Sequence, residues 1–218
     1  MTRLLILGAG SFAIDVLEAA RATGEFDPVG FLVSDREFVT DAMHVGLPVG
    51  DLASLAWTPA DVVCVAGITS PARRGFVAEM RRRGFVFARV VHPTAIVSPS
   101  AAIGAGAFVG AGAILGARTT LGEDVLVNRG ANLGHDAAIG ACATIGPGAV
   151  LAGCVTVGAG SVVGVGAVVS DHLSIGDHAV VAAGSVVVRP VPDRMFVAGS
   201  PARVIRSMTD GAALSLKP

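Results

Sequence analysis

The sequence predicts an α/β half-domain over the first ninety residues, followed by a parallel β-helix. One observation is an aliphatic residue at every sixth position from Val91 to Val187, seventeen times without a gap. The other is an alternation of apolar strands and amphipathic helices before Val91. A six-residue period fits neither a helix, which repeats about every 3.6 residues, nor a strand, which repeats about every 2. It is typical of a β-helix in which three hexapeptides close one coil.

The N-terminal segment has the order of a Rossmann-like half-domain. The predicted elements are a buried strand at 3–7, a glycine turn and a helix to Thr23, a strand at Pro28–Val33, a third strand at Asp61–Ala66, a helix at Pro71–Arg83 and a short strand leading to His92. The turn reads Gly8-Ala9-Gly10-Ser11-Phe12-Ala13. Backbone N–H groups at such a turn favour phosphate.

This turn, with Asp35 further on, matches the dinucleotide fingerprint. A complete NAD site needs both halves of a doubly wound fold, however, and ninety residues supply one. The pattern therefore favours a nucleotide-linked sugar over NAD, and leaves open a turn with a purely structural role.

Within the hexapeptides, two further positions are restricted. Glycine follows the aliphatic residue in ten of the seventeen units, and we expect a tight bend there. A small residue, usually alanine, stands four positions after the aliphatic residue. Both aliphatic and small residues are expected to point into the coil, where space is limited.

Composition excludes several classes of function. The formal net charge of −1 gives no electrostatic footprint for nucleic acid. Residues 137–170 carry no charged side chain, but their glycines, proline and six-residue period do not fit a membrane span. The N-terminal apolar run ends in a glycine turn rather than a cleavage site. Cys64, Cys142 and Cys154 show no metal-ligand spacing, so a reduced, cytoplasmic protein is expected.

Four stretches carry a family resemblance: ILGAGSFAIDVLEAA, VVHPTAIVSPSAAIG, VNRGANLGHDAAIGACATIGPGAVLAG and VAGSPARVI. Together they resemble the hexapeptide-repeat sugar acetyltransferases of the sialic-acid O-acetyltransferase and bacillosamine–perosamine N-acetyltransferase group. The resemblance implies a left-handed β-helix, a homotrimer, acetyl-CoA as co-substrate and a nucleotide-linked sugar as partner. It also divides the chain into a nucleotide-binding domain at 1–90, the β-helix at 91–206 and a tail at 207–218.

The resemblance implies that His135 is the general base, and imidazole suits proton removal near neutral pH. Asp136 matches the acidic residue that fixes the imidazole tautomer. Asn128 matches an asparagine that positions the sugar or the base. Gly153 matches a glycine whose backbone N–H contacts the thioester carbonyl. For each residue the alternative is an ordinary corner position without a catalytic role.

Acetyl-CoA contacts are implied at Thr144, which stands where many relatives carry a second histidine. Its anionic groups also need cations. Arg189, Arg194 and Arg203, beyond the last coils, are available beside the turn at 199–202, although each could be a solvated surface charge. No metal is expected, because His172 and His178 fall on different faces and cannot complete a three-histidine site with His135.

By resemblance, Gly10, Ser11, Asp35 and Gly67 are the nucleotide neighbours. Many relatives have Gly-His-Gly where this chain has Ser11-Phe12-Ala13, so their histidine contact is absent here. The resulting hypothesis is acetyl-CoA-dependent N-acetylation of a nucleotide-linked amino sugar. The alternatives are O-acetylation of a sugar hydroxyl by the same base, and a non-catalytic binding protein.

Overall fold

A computed structural model describes residues 1–34, 45–70 and 73–208. The N-terminal part is a four-stranded parallel sheet flanked by helices. Its elements are β1 (Thr2–Leu7), α1 (Ser11–Thr23), β2 (Phe26–Val33), β3 (Val49–Asp51), β4 (Val63–Ala66) and α2 (Arg73–Arg82). The strands lie in the order β3-β2-β1-β4. The sequence pattern missed β3, and Pro71 lies outside the described residues.

The predicted parallel β-helix is confirmed. Seventeen two-residue strands, β5 to β21, stack in three sheets, and each strand pairs with the strand 18 residues further along the chain. Every predicted aliphatic residue is the second residue of its strand. From Val109 onward these side chains are buried in one continuous cluster, together with the alanines four positions later.

Each sheet forms one face of the β-helix. The docked face is the one covered by the N-terminal sheet and helices, and consists of β5 (Val90–Val91), β8 (Phe108–Val109), β11 (Leu126–Val127), β14 (Thr144–Ile145), β17 (Val162–Val163) and β20 (Val180–Val181). Its outward residues Val90, Phe108 and Leu126 pack in one cluster with Val16 and Leu17 of α1. Phe12 also meets Phe108 edge-on, with ring centroids 5.5 Å apart. The β-helix and the N-terminal part thus share a core.

The apolar face carries outward isoleucine and valine side chains. Its strands are β6 (Ile96–Val97), β9 (Ile114–Leu115), β12 (Asn132–Leu133), β15 (Val150–Leu151), β18 (Val168–Val169) and β21 (Val186–Val187). Ile96, Val150 and Val168 are exposed along it, and Asn132 is the one polar outward residue among these six strands.

The small-residue face carries alanine, threonine and serine outward. Its strands are β7 (Ala102–Ile103), β10 (Thr120–Leu121), β13 (Ala138–Ile139), β16 (Thr156–Val157) and β19 (Ser174–Ile175). The chain then ends in a hairpin, β22 (Met195–Gly199) and β23 (Ala202–Ser207), that extends the sheet of the docked face. The predicted turn at 199–202 joins its strands and contains a cis Ser200–Pro201 peptide bond. The hairpin itself was not predicted.

The expected tight bend at the glycine after each aliphatic residue was wrong. The left-handed backbone occurs two positions later, for example at Gly112 (φ 64°) and Asp136 (φ 57°). The earlier glycines are needed because successive coils touch there: a Cβ on Gly104 would lie 2.6 Å from the carbonyl carbon of Gly122. Within the described ranges, no helix combines the length and apolar character required to cross a bilayer.

Candidate active site

His135 lies at the corner between the apolar and small-residue faces, in the turn from β12 to β13. Because every coil has the same length, residues 18 apart stack at each corner. At this corner one column contains Arg118, Asp136 and Cys154, all with left-handed backbone near φ 57°. The side chain of His135 is 61% exposed, so the imidazole is open to a ligand.

His135 and Asp136 form a hydrogen-bonded pair. Nδ1 of His135 lies 2.7 Å from Oδ2 of Asp136. Hydrogen bonds from Arg118 and from His135 hold the pKa of Asp136 well below its usual range. An ionised carboxylate can only accept hydrogen bonds, so Nδ1 is the donor. In the neutral imidazole Nε2 then keeps a free lone pair, as a general base requires.

Arg118 binds the opposite side of the same carboxylate, and sequence reasoning missed it. Its Nε donates to Oδ1 of Asp136 at 2.6 Å and its Nη2 donates to Oδ2 at 2.7 Å. This bidentate geometry is the strongest form of an arginine–carboxylate pair. The available signal was the spacing, since Arg118 precedes Asp136 by one 18-residue coil.

Gly153 follows His135 by one coil and lies against its ring. A Cβ at Gly153 would stand 2.6 Å from Nε2 and 2.7 Å from Cε1 of His135. The structure therefore brings this predicted residue to the proposed base. Its predicted N–H contact with a thioester stays a prediction.

A metal ion has ligand atoms within reach at the same corner. Among the described residues, His135, Asp136 and Cys154 offer atoms that lie within 4.8 Å of one another. Both carboxylate oxygens already accept hydrogen bonds from Arg118, however. We therefore assign no metal to this group.

Asn128 and Thr144 lie away from His135 in the protomer. Asn128 is at the corner that precedes β12, buried, with its side-chain oxygen accepting a hydrogen bond from the Arg129 backbone N–H at 2.8 Å. Thr144 is on the docked face and only 6% exposed. Its hydroxyl accepts a hydrogen bond from Arg73 at 2.8 Å. Their roles toward sugar and acetyl-CoA stay predictions.

The predicted cofactor cations lie near the C-terminal end of the coils. Arg189 is exposed in the segment after β21, and Arg203 is exposed on β23, where Nη1 donates to the carbonyl of Ala202 at 3.0 Å. Both guanidinium groups remain open to water. Their contact with an acyl donor stays a prediction.

Three of the four predicted nucleotide neighbours line one cavity of about 660 Å³ in the N-terminal part. Gly10 begins α1 as its N-cap, without a side-chain cap, and Ser11 is the first helical residue. Gly67 lies opposite, where a Cβ would stand 2.9 Å from the Cα of Ala13. The fourth, Asp35, lies outside the described residues.

Arg73 is the one charged residue on the described wall of this cavity, and sequence reasoning missed it as well. It is 1% exposed, and burial lowers the pKa of its guanidinium to about 10, which leaves it protonated at neutral pH. Nη2 donates to the carbonyls of Cys142 and Ala143 in the β-helix, whereas the buried Nε has no partner. Arg73 thus joins the wall of the cavity to the docked face.

The comparisons with known proteins agree with this architecture. The family model "Bacterial transferase hexapeptide (six repeats)" matches residues 118–153. PerB of Caulobacter crescentus, solved with CoA and GDP-perosamine, is 34% identical with a TM-score of 0.84, covering 94% of this chain and 97% of PerB. The acetyltransferase domain of PglB from Neisseria gonorrhoeae is 33% identical with a TM-score of 0.87, covering 94% of this chain and all of that domain.

WeeI of Acinetobacter baumannii shares the fold, with a TM-score of 0.82 at 23% identity over 94% of this chain and all of WeeI. A search of curated protein sequences finds no match. The two relatives above 30% identity span nearly the whole chain, and the matched hexapeptides include His135 and Asp136. The chain therefore belongs to the family of hexapeptide-repeat sugar acetyltransferases that includes the perosamine N-acetyltransferase and the acetyltransferase domain of PglB.

Proposed function

We propose that this protein transfers the acetyl group of acetyl-CoA to the amino group of a nucleotide-linked sugar, with His135 as general base. The amine nitrogen attacks the thioester carbonyl carbon, and Nε2 of His135 takes the proton that the amine loses. The carbon–sulfur bond then breaks, and the CoA thiolate leaves and is protonated. Asp136 stabilises the imidazolium formed during the attack.

The observation that carries this proposal is the 2.7 Å contact between His135 Nδ1 and Asp136 Oδ2 at an exposed corner. It orients the imidazole and leaves Nε2 as the atom that accepts a proton. A binding protein would have no need for an oriented, solvent-accessible base. The pair therefore favours catalysis over a non-catalytic role.

The cavity beside Gly10 supports a nucleotide-linked acceptor. The N-terminus of α1 provides backbone donors without a side-chain cap, and Arg73 adds the positive charge that a diphosphate requires. PerB is a relative solved with a nucleotide sugar, GDP-perosamine. We propose that the Rossmann-like half-domain at 1–90 binds the nucleotide, with Asp35 completing the set.

The relatives also support the acyl donor. PerB was solved with CoA, and the PglB domain was solved with acetyl coenzyme A. We propose that acetyl-CoA runs from His135 toward the C-terminal coils. In this arrangement Gly153 N–H and Thr144 lie near the thioester, and Arg189 and Arg203 bind its phosphates. Asn128 is assigned to the sugar.

We further propose a homotrimer of left-handed β-helices over 91–206. The docked face is already covered and the small-residue face presents no large apolar side chains. The apolar face is the remaining one, and exposed Ile96, Val150 and Val168 favour contact with a second copy. Because His135 borders this face, the partner subunit would form the other wall of its cleft.

The test is a thiol-release assay with acetyl-CoA and a panel of UDP-, GDP- and dTDP-linked 4-amino sugars. The proposal predicts CoA release with at least one amino sugar, and mass spectrometry of the product shows an acetylated amine. Release only with hydroxyl acceptors would replace N-acetylation by O-acetylation. No release with any acceptor, at concentrations well above those that saturate related enzymes, would refute the transferase assignment.

A further inference from the structure

Arg118 lies beyond hydrogen-bond reach of the His135 ring but shares the carboxylate that the ring uses. Oδ2 of Asp136 is bonded to His135 Nδ1 at 2.7 Å and accepts from Arg118 Nη2 at 2.7 Å. Oδ1 accepts from Arg118 Nε at 2.6 Å. Three hydrogen bonds therefore fix the plane of the carboxylate. Arg118 determines where Oδ2 stands, and Oδ2 determines how the imidazole is turned.

The fold makes this arrangement specific. Arg118 and Asp136 are in successive coils of one column and share the same left-handed backbone, with φ of 58° and 57°. The Arg118 backbone N–H also donates to the hydroxyl of Ser100, one coil earlier, at 3.0 Å. The guanidinium thus reaches the carboxylate from a backbone that is held on both sides.

The charges at this corner act on the base in opposite directions. A carboxylate beside an imidazole favours the protonated ring, which cannot accept another proton. The Arg118 cation lies on the far side of the same carboxylate and offsets its charge. The remaining titratable neighbours among the described residues are Cys154, within 4.8 Å of the pair, and the exposed Asp171–His172 pair, one coil beyond Cys154 and Asp136.

We propose that Arg118 is a positioning residue that orients Asp136 against His135 and offsets its charge, so that the imidazole remains an unprotonated base to lower pH than it would beside an uncompensated carboxylate. This rests on His135 being the base of the proposed function. The role has two separable parts. The bidentate geometry orients the ring, and the positive charge sets the pH at which the ring takes up a proton.

The test is the titration curve of His135, measured without substrate by exchange of the imidazole C2 proton in mass spectrometry. Arg118→Gln removes the charge, and we expect the midpoint of the His135 curve to move up by about 0.5 to 1 pH unit. Arg118→Lys keeps the charge without the bidentate geometry. Its midpoint should stay within about 0.2 unit of the wild type, while kcat/KM falls about tenfold or more.

Arg129→Gln is the matched control, because Arg129 forms an exposed ion pair with Asp15 at a different corner. Its His135 curve should not move. An unchanged or lowered midpoint in Arg118→Gln would overturn the proposal and leave Arg118 an ordinary surface ion pair. Because the titration needs no acceptor, a raised midpoint in a protein that transfers no acetyl group would uphold the role of Arg118 and refute the transferase assignment instead.

Discussion

Gly153 stands where any side chain would strike the ring of His135: its Cβ would lie 2.6 Å from Nε2 of that histidine. The backbone of Gly153 is not left-handed, so the requirement for glycine is one of space. The coil after His135 therefore leaves room for the ring at the atom proposed to accept the proton.

Gly153→Ala should lower kcat/KM by about 10- to 100-fold, because the new methyl group displaces the imidazole by roughly 1 Å. The fold should survive, since an exposed side chain can rotate away at little cost. Steady-state kinetics and thermal unfolding distinguish the two effects. Gly75→Ala is the control, because nothing lies within 4 Å of a Cβ there. A fully active Gly153→Ala enzyme would show that the ring is not held in this position.

His135→Ala should reduce turnover by about 10²- to 10⁴-fold, the contribution of a general base. The ring is 61% exposed, so the melting temperature and the affinity for CoA should remain near those of the wild type. Calorimetric titration with CoA measures the affinity. His178→Ala, at another corner where the ring contacts Arg74, should keep its activity. Equal losses in both variants would remove His135 from its assigned role.

Asp136→Asn should move the acidic limb of the pH–activity profile to lower pH, opposite to the shift expected for Arg118→Gln. The pKa of Asp136 is depressed, chiefly by Arg118, so the carboxylate stays ionised as pH falls from 7 through its unfolded value of about 3.9. The wild-type limb above about pH 5 therefore belongs to another group. An unchanged limb in the Asp136→Asn variant would contradict the coupling between this carboxylate and the base.

Val168 and Val169 are adjacent valines that point to opposite sides of β18, 39% and 0% exposed. Val169→Asp buries an unpaired charge at a cost on the order of several kcal/mol and should prevent folding. Val168→Asp should fold but remain monomeric, because the charge lies on the apolar face. Circular dichroism and sedimentation velocity separate these outcomes. A folded Val169→Asp variant would mean that the register is wrong.

Arg73→Ala should destabilise the protein by roughly 2 to 5 kcal/mol, because the carbonyls of Cys142 and Ala143 lose their buried donor. Urea unfolding at fixed protein concentration measures the change. Arg74→Ala is the matched control, since the neighbouring arginine makes an exposed contact with His178. A loss of similar size in both variants would exclude a special role for the buried guanidinium.

The six-residue period predicted the coil, its inward side chains and the corner that carries His135 and Asp136. It also contained the signal for Arg118, because residues 18 apart share a column. What it could not supply was the identity of the pairs made by outward side chains, which depends on their rotamers. Arg73 is a further case: α2 contains four arginines, and nothing in its sequence distinguishes the one that is buried.

The sequence also misled at the glycines that follow the aliphatic residues. Glycine commonly marks a bend, yet at Gly104 it marks the contact between two coils. This contact joins residues a full coil apart, and local conformational preference carries no information about it. In the same way, Asn128 and His135 are seven residues apart but lie at opposite ends of β12.

The 18-residue stacking also governs how the length of this protein can change. Removing or duplicating one whole coil beyond Cys154 would leave Arg118, His135 and Gly153 in their mutual positions and alter only the distance to the terminal hairpin. Any other number of inserted residues would have to bulge out as a loop. The β-helix thus permits the reach toward the far end of an acyl donor to be redesigned in steps of about 4.8 Å, without disturbing the chemistry.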